Sequence, residues 1–140
     1  MFLNCTSLRT ASELPATSVN TQTYNTMFYG CTNLVTGPTI LPATKMYSQC
    51  YGNMFENCRN LTNAPVLPAL TLTSNCYAYM FRNCSKINYI KAMFTSTSNA
   101  AYLWVSGVAA TGTFVKNVNA NIPTGVSGIP SGWTVETATE

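Results

Sequence analysis

The chain has 140 residues, with seven Lys or Arg, four Glu, no Asp and no His. That is enough for one domain, and 46% hydrophobic residues exclude a disordered tail. Charged residues make up only 8% and give a net +3, while 47 residues are Thr, Asn or Ser, so solubility rests on hydroxyls and amides. The seven cations are scattered. Arg82, Lys86 and Lys91 come nearest to a cluster and read as a solvated edge, so no nucleic-acid partner is expected. No run of 18 apolar residues occurs, and "MFLNCTSLRT" has neither a basic start nor a long apolar core. Neither a membrane span nor a signal peptide is expected.

Along the chain, "MFLNCTSL" at 1–8 returns as "MFYGCTNL" at 27–34, "MFENCRNL" at 54–61 and "MFRNCSKI" at 80–87. "LPA" starts at Leu14, Leu41 and Leu67 with a matching period, and Tyr24, Tyr51 and Tyr77 follow Thr23, Cys50 and Cys76. A period near 26 residues is the mark of stacked units, each too small to bury its own apolar face. Met46, Cys50, Met54 and Cys58 fall four apart, as do Leu72, Cys76, Met80 and Cys84, and Val19, Thr23, Met27 and Cys31. This spacing predicts a helix over roughly 45–56 and another over roughly 72–82. Asn4, Gly30, Asn57 and Asn83 precede the repeat cysteines and suit the left-handed conformation that closes a helix. Each unit then runs into a short extended segment ending at proline.

From Met93 the period breaks. Asn99–Val108 is expected to form a last helix carrying Tyr102 and Trp104, with short strands in "GTFVKNV" and "GWTVETA". Trp133 is expected to cover the end of the stack. The fold class expected is therefore α/β, a leucine-rich-repeat-like solenoid of about 26-residue helix-turn-short-strand coils with a C-terminal cap. The repeat part would occupy 1–92 and the capping region 93–140. The chain starts inside a unit, at the Met-Phe pair, so its N-terminal end is expected to meet further repeats, a partner or another copy.

"MFxxCxxL…LPA…CYxxMFxxC" resembles the BspA-like leucine-rich repeats of bacterial surface proteins. The likeness is greatest to the Met-Phe/Cys variant of mycoplasma surface lipoproteins and of gut Bacteroides and their phages. It covers about residues 1–94 and implies repeat-mediated binding or adhesion, with no catalytic residues to carry over.

The six cysteines stand at 5, 31, 50, 58, 76 and 84. Four of them occupy one repeat column, which favours reduced core packing, with disulfides or a metal as the alternatives. With no histidine and no CxxC pair, neither a zinc site nor a Cys-His nucleophile is expected. Glu13 and Glu56 sit at different phases of the repeat, Glu56 on an expected solvent face, while Glu136 and Glu140 lie in an expected mobile tail. Neither an enzyme nor a cofactor is expected. Tyr24, Tyr51 and Tyr77 are expected to pack between coils, a sugar-stacking ladder being the alternative, while Tyr29, Tyr47, Tyr79 and Tyr89 fall off the column and are expected to be exposed.

The residues after each repeat leucine vary most: Arg9 and Thr10, Val35 and Thr36, Thr62 and Asn63, Asn88 and Tyr89. They form the candidate ligand-binding surface. The function expected is non-enzymatic binding or adhesion to a protein or glycan, at a cell surface or outside the cell. The alternative is a structural virion component, a phage tail or fibre-tip segment docking through its N-terminal end.

Overall fold

The computed structural model describes residues 1–138 and contains no helix among them. The helix-turn-strand, leucine-rich-repeat-like solenoid expected from the spacing is therefore not the fold. Regular structure is confined to three short strands, β1 (Tyr89–Ala92), β2 (Thr113–Lys116) and β3 (Thr134–Thr137), in one parallel sheet of order β1-β2-β3. The strands expected in "GTFVKNV" and "GWTVETA" are β2 and β3.

Where helices were expected, at 45–56, 72–82 and 99–108, the backbone forms a ribbon of overlapping turns. Every second N–H donates to the carbonyl three residues before it: Cys50 to Tyr47, Gly52 to Gln49, Met54 to Tyr51, Glu56 to Asn53. The N–H groups between them donate to the next ribbon along the chain: Gln49 to Ser74, Tyr51 to Cys76, Asn53 to Ala78, Phe55 to Met80, Asn57 to Arg82. The ribbons thus stack as rungs, and every N–H from Gln49 to Cys58 and from Asn75 to Cys84 finds a partner either within its own rung or on the neighbouring one.

Every fourth residue of a rung has positive φ: Gln22, Thr26 and Gly30; Gln49, Asn53 and Asn57; Asn75, Tyr79 and Asn83. Positive φ at the third position is what a type II turn requires. The left-handed conformation expected at Asn4, Gly30, Asn57 and Asn83 is present, but as one step of a recurring turn rather than a helix cap. The repeating unit is a tetrapeptide, as in Gln49-Cys50-Tyr51-Gly52 and Asn53-Met54-Phe55-Glu56. Its first residue turns left-handed, and the next two point inward.

This explains why the helical reading fails. On an α-helix a step of four residues drifts by about 40°, so Cys58 would stand about 120° around the axis from Met46. In the turn ribbon four residues return to the same direction, and Met46, Cys50, Met54 and Cys58 are all buried. Asn, Ser and Thr, abundant here, also compete for backbone hydrogen bonds and weaken helices.

The inward side chains stack from rung to rung. Phe2, Phe28, Phe55 and Phe81 lie at centroid spacings of 5.6, 5.4 and 5.7 Å, and Trp104 follows at 6.0 Å. Tyr24, Tyr51 and Tyr77 form a second column at 5.6 and 6.0 Å, also ending on Trp104 at 6.0 Å. One buried cluster runs from Ala11 to Trp133. Opposite the turn ribbons, isolated parallel bridges such as Thr10 with Thr36, Ser18 with Lys45 and Ile40 with Val66 precede the sheet. Trp133 is 7% exposed and its indole N–H donates to the Ala109 carbonyl at 2.7 Å. Glu136 is held in β3 rather than in a mobile tail, while Glu140, like residue 139, lies outside the described residues.

Candidate functional site

The row of residues after the repeat leucines comes to the surface on the strand side. The Val35 and Thr36 N–H groups donate to the Arg9 carbonyl at 2.8 and 3.2 Å, and the Thr62 N–H donates to that of Val35 at 3.0 Å. Thr10 pairs with Thr36 in a parallel bridge, and Tyr89 opens β1 with the Asn88 carbonyl accepting from Thr113. Arg9, Thr10, Val35, Thr36, Thr62, Asn88 and Tyr89 are exposed. Asn63 differs. Its side-chain oxygen accepts from the Gly37 N–H at 2.9 Å, and its amide donates to the Gly37 and Pro38 carbonyls. It is a tie between rungs, and the Thr62 hydroxyl is likewise spent on the Val35 carbonyl.

Tyr51 and Tyr77 are each 1% exposed, so they belong to the core and present no face to a sugar. Burial holds both phenols well above the ordinary tyrosine range. Among the off-column tyrosines, Tyr47 and Tyr89 are exposed, while Tyr29 and Tyr79 are half-buried.

All six cysteines are free, and five are buried. The Cys31, Cys58 and Cys84 thiols donate to the carbonyls of Phe2, Phe28 and Phe55 on the preceding rung at 2.9, 3.0 and 3.0 Å. Burial pushes Cys50 and Cys58 up to about 12 and Cys76 up to about 11. The same cause raises Cys31, and Cys84 well above the usual thiol range. Thiols so shifted stay protonated and are poor nucleophiles. Among the described residues, no three His, Cys, Asp or Glu side chains converge as metal ligands.

The carboxylates do not meet either. Glu13 accepts the Thr39 N–H with both oxygens, at 2.8 and 3.1 Å, which lowers its pKa. Glu56 is not on a solvent face. It is 6% exposed, takes the Asn53 amide, and pairs with Arg82 at 3.5 Å. Arg82 lies in turn over the Tyr79 ring, 5.5 Å from its centroid.

A groove of about 410 Å³ runs over the turn ribbons, lined mainly by Asn25, Gln49, Asn53, Asn75, Tyr79 and Tyr102. Beyond Tyr102 it continues into a hollow of about 600 Å³ that shares Asn75 and Tyr102 and is otherwise lined largely by Ser, Thr and Asn. Tyr102 is 55% exposed and stands perpendicular to Tyr79, with ring centroids 5.5 Å apart. The amides that line the groove belong largely to the tetrapeptide unit. Gln49, Asn53 and Asn75 are its left-handed residues, and their conformation aims the side chains away from the core. The sequence signal for them was a polar residue before each inward pair. Only the column before the repeat cysteines is uniformly Asn or Gly, so the rest of this face does not stand out in the sequence.

Comparison with family models, with curated proteins and with solved structures finds no match to this chain.

Proposed function

We propose that this chain is a non-enzymatic recognition module of the adhesive kind, binding a protein or glycan through the exposed and mostly neutral side chains of its stacked rungs. The observation that carries this is the strand-side row. Arg9, Thr10, Val35, Thr36, Thr62, Asn88 and Tyr89 are exposed on a backbone already tied by hydrogen bonds between rungs. A surface so held loses little conformational entropy on binding, and tyrosine among short polar residues is the composition that antibody paratopes use. The resemblance of "MFxxCxxL" to repeats of bacterial surface proteins supports the same reading and a place at a cell surface, outside the cell or on a virion.

The test is a binding screen of the chain against immobilised neutral and acidic glycans and a panel of cell-surface and matrix proteins. At least one partner is expected to be retained, and Tyr89→Ala with Thr36→Lys is expected to weaken it by about tenfold or more, the equivalent of 1.4 kcal/mol. Absence of any partner, or a turnover abolished by Glu13→Gln or Glu56→Gln, would overturn the reading.

A further inference from the structure

We propose that the groove between Asn75, Tyr79 and Tyr102 binds a neutral sugar chain. This rests on the reading of the chain as a recognition module and names a ligand class for a surface separate from the strand-side row.

The geometry supplies what a pyranose needs. Tyr79 and Tyr102 meet at right angles, so their contact occupies at most one face of the Tyr102 ring, which is consistent with its 55% exposure. A flat aromatic face accepts the apolar C–H face of a sugar ring. Around it stand primary amides, each of which donates and accepts at one place, as pairs of neighbouring sugar hydroxyls also do. The Asn75 amide makes no side-chain hydrogen bond among the described residues, so it is available to a ligand.

The site is also held in advance. Asn53, Asn75 and Tyr79 have φ of 54°, 56° and 57°. Their N–H groups donate to the Ala78, Asn99 and Tyr102 carbonyls at 2.8, 2.9 and 2.9 Å. Backbone fixed in this way reduces the ordering cost of binding.

Charge argues for a neutral ligand. None of the groove's lining residues carries charge, and Arg82, which lies over the Tyr79 ring, is paired with Glu56. A peptide would want an apolar pocket for an anchoring side chain, whereas this floor is made of amides. The volumes of the groove and hollow, about 410 and 600 Å³, each fall in the range of small-ligand sites.

The experiment titrates the isotopically labelled full chain with maltohexaose, cellohexaose, mannohexaose and chitohexaose, following backbone amides by NMR. At least one is expected to shift the amides of residues 75–79 and 102–104, with millimolar or tighter affinity. Tyr102→Ala should weaken that binding about tenfold or more, and Tyr102→Phe by much less. Asn75→Gln is the second variant. Gln22 and Gln49 already occupy equivalent positions at φ of 58° and 57°, so the fold is retained while the amide moves. It should weaken binding several-fold.

The proposal fails if none of the four sugars shifts those amides, or if Tyr102→Ala binds as tightly as the parent chain. It fails also if a sulfated or sialylated analogue binds much tighter than its neutral counterpart, or if a peptide library shifts these amides and the sugars do not. Binding that is lost in Tyr89→Ala but unchanged in Tyr102→Ala sinks the groove proposal and leaves the recognition reading standing. Binding at neither surface sinks both.

Discussion

Cys31, Cys58 and Cys84 each send a thiol proton to a phenylalanine carbonyl of the rung before, and that carbonyl also accepts the N–H of its own turn. The cysteine column is thus a column of cross-rung donors set in a dry core. With burial raising five of the six thiols, dithionitrobenzoate at pH 8 is expected to modify at most one thiol per native chain, the half-buried Cys5, and all six after denaturation. Rapid reaction of two or more in native buffer would contradict the packing. Glu13 gives a pH signature. Its carboxylate is held below the ordinary value by the Thr39 N–H, so its contribution to stability is present at neutral pH and is lost as pH falls through the depressed folded value. Glu13→Gln is expected to lower the melting temperature at pH 7 and to flatten its decline between about pH 5 and 3. An unchanged acid slope would show that the contact carries no linkage. The inward character of Met, Phe and Cys was legible in the sequence, because identical types recur in one column. The burial of Glu56 was not, because it depends on Arg82, 26 residues away in the chain.

At the scale of the turn ribbon, Thr26 separates the two readings of the four-residue spacing. It is a β-branched residue at φ of 56°, which costs about 1–2 kcal/mol relative to glycine in that region. Part of any gain on replacement returns as unfolded-state entropy, so Thr26→Gly is expected to be neutral or stabilising by up to about 1 kcal/mol in urea denaturation. In a helix the same change would be destabilising by several tenths of a kcal/mol. Far-UV circular dichroism is expected to lack the paired minima at about 208 and 222 nm that helices give, and their presence would overturn the ribbon. The sequence carried the needed clue. Strict fourfold spacing over Met46 to Cys58 is too regular for a period of 3.6, and a polar or glycine residue stands before nearly every inward pair. Neither mark is decisive alone, since short apolar runs at this spacing fit a helix almost as well. The extended segments were easier to read, because β2 and β3 announce themselves by β-branched residues just after a glycine.

For the whole molecule, stability is shared along two aromatic columns, so the cost of truncation depends on position. Phe55 has rings on both sides and is fully buried, and Phe55→Ala is expected to lower unfolding free energy by about 3–5 kcal/mol. Phe2 has one stacking partner and is 39% exposed, and Phe2→Ala is expected to lose about 1 kcal/mol. Equal losses in chemical denaturation would mean that the columns do not bear the load as drawn. The stacking has an electrical consequence too. On the turn side, the cross-rung N–H groups from Phe2 to Asn83 all point toward the later rung. On the strand side they point both ways, Val35 to Arg9 and Thr62 to Val35 against Ala11 to Thr36 and Leu41 to Val66. The strand-side dipoles largely cancel, as in any parallel ladder, while those of the turn side add like the peptides of a helix but with the opposite polarity along the chain. A protein with few charged residues thereby acquires a field from its backbone. Its partial charges gather at the two ends of the turn-side stack, positive where N–H groups face out from the last rung and negative where carbonyls face out from the first.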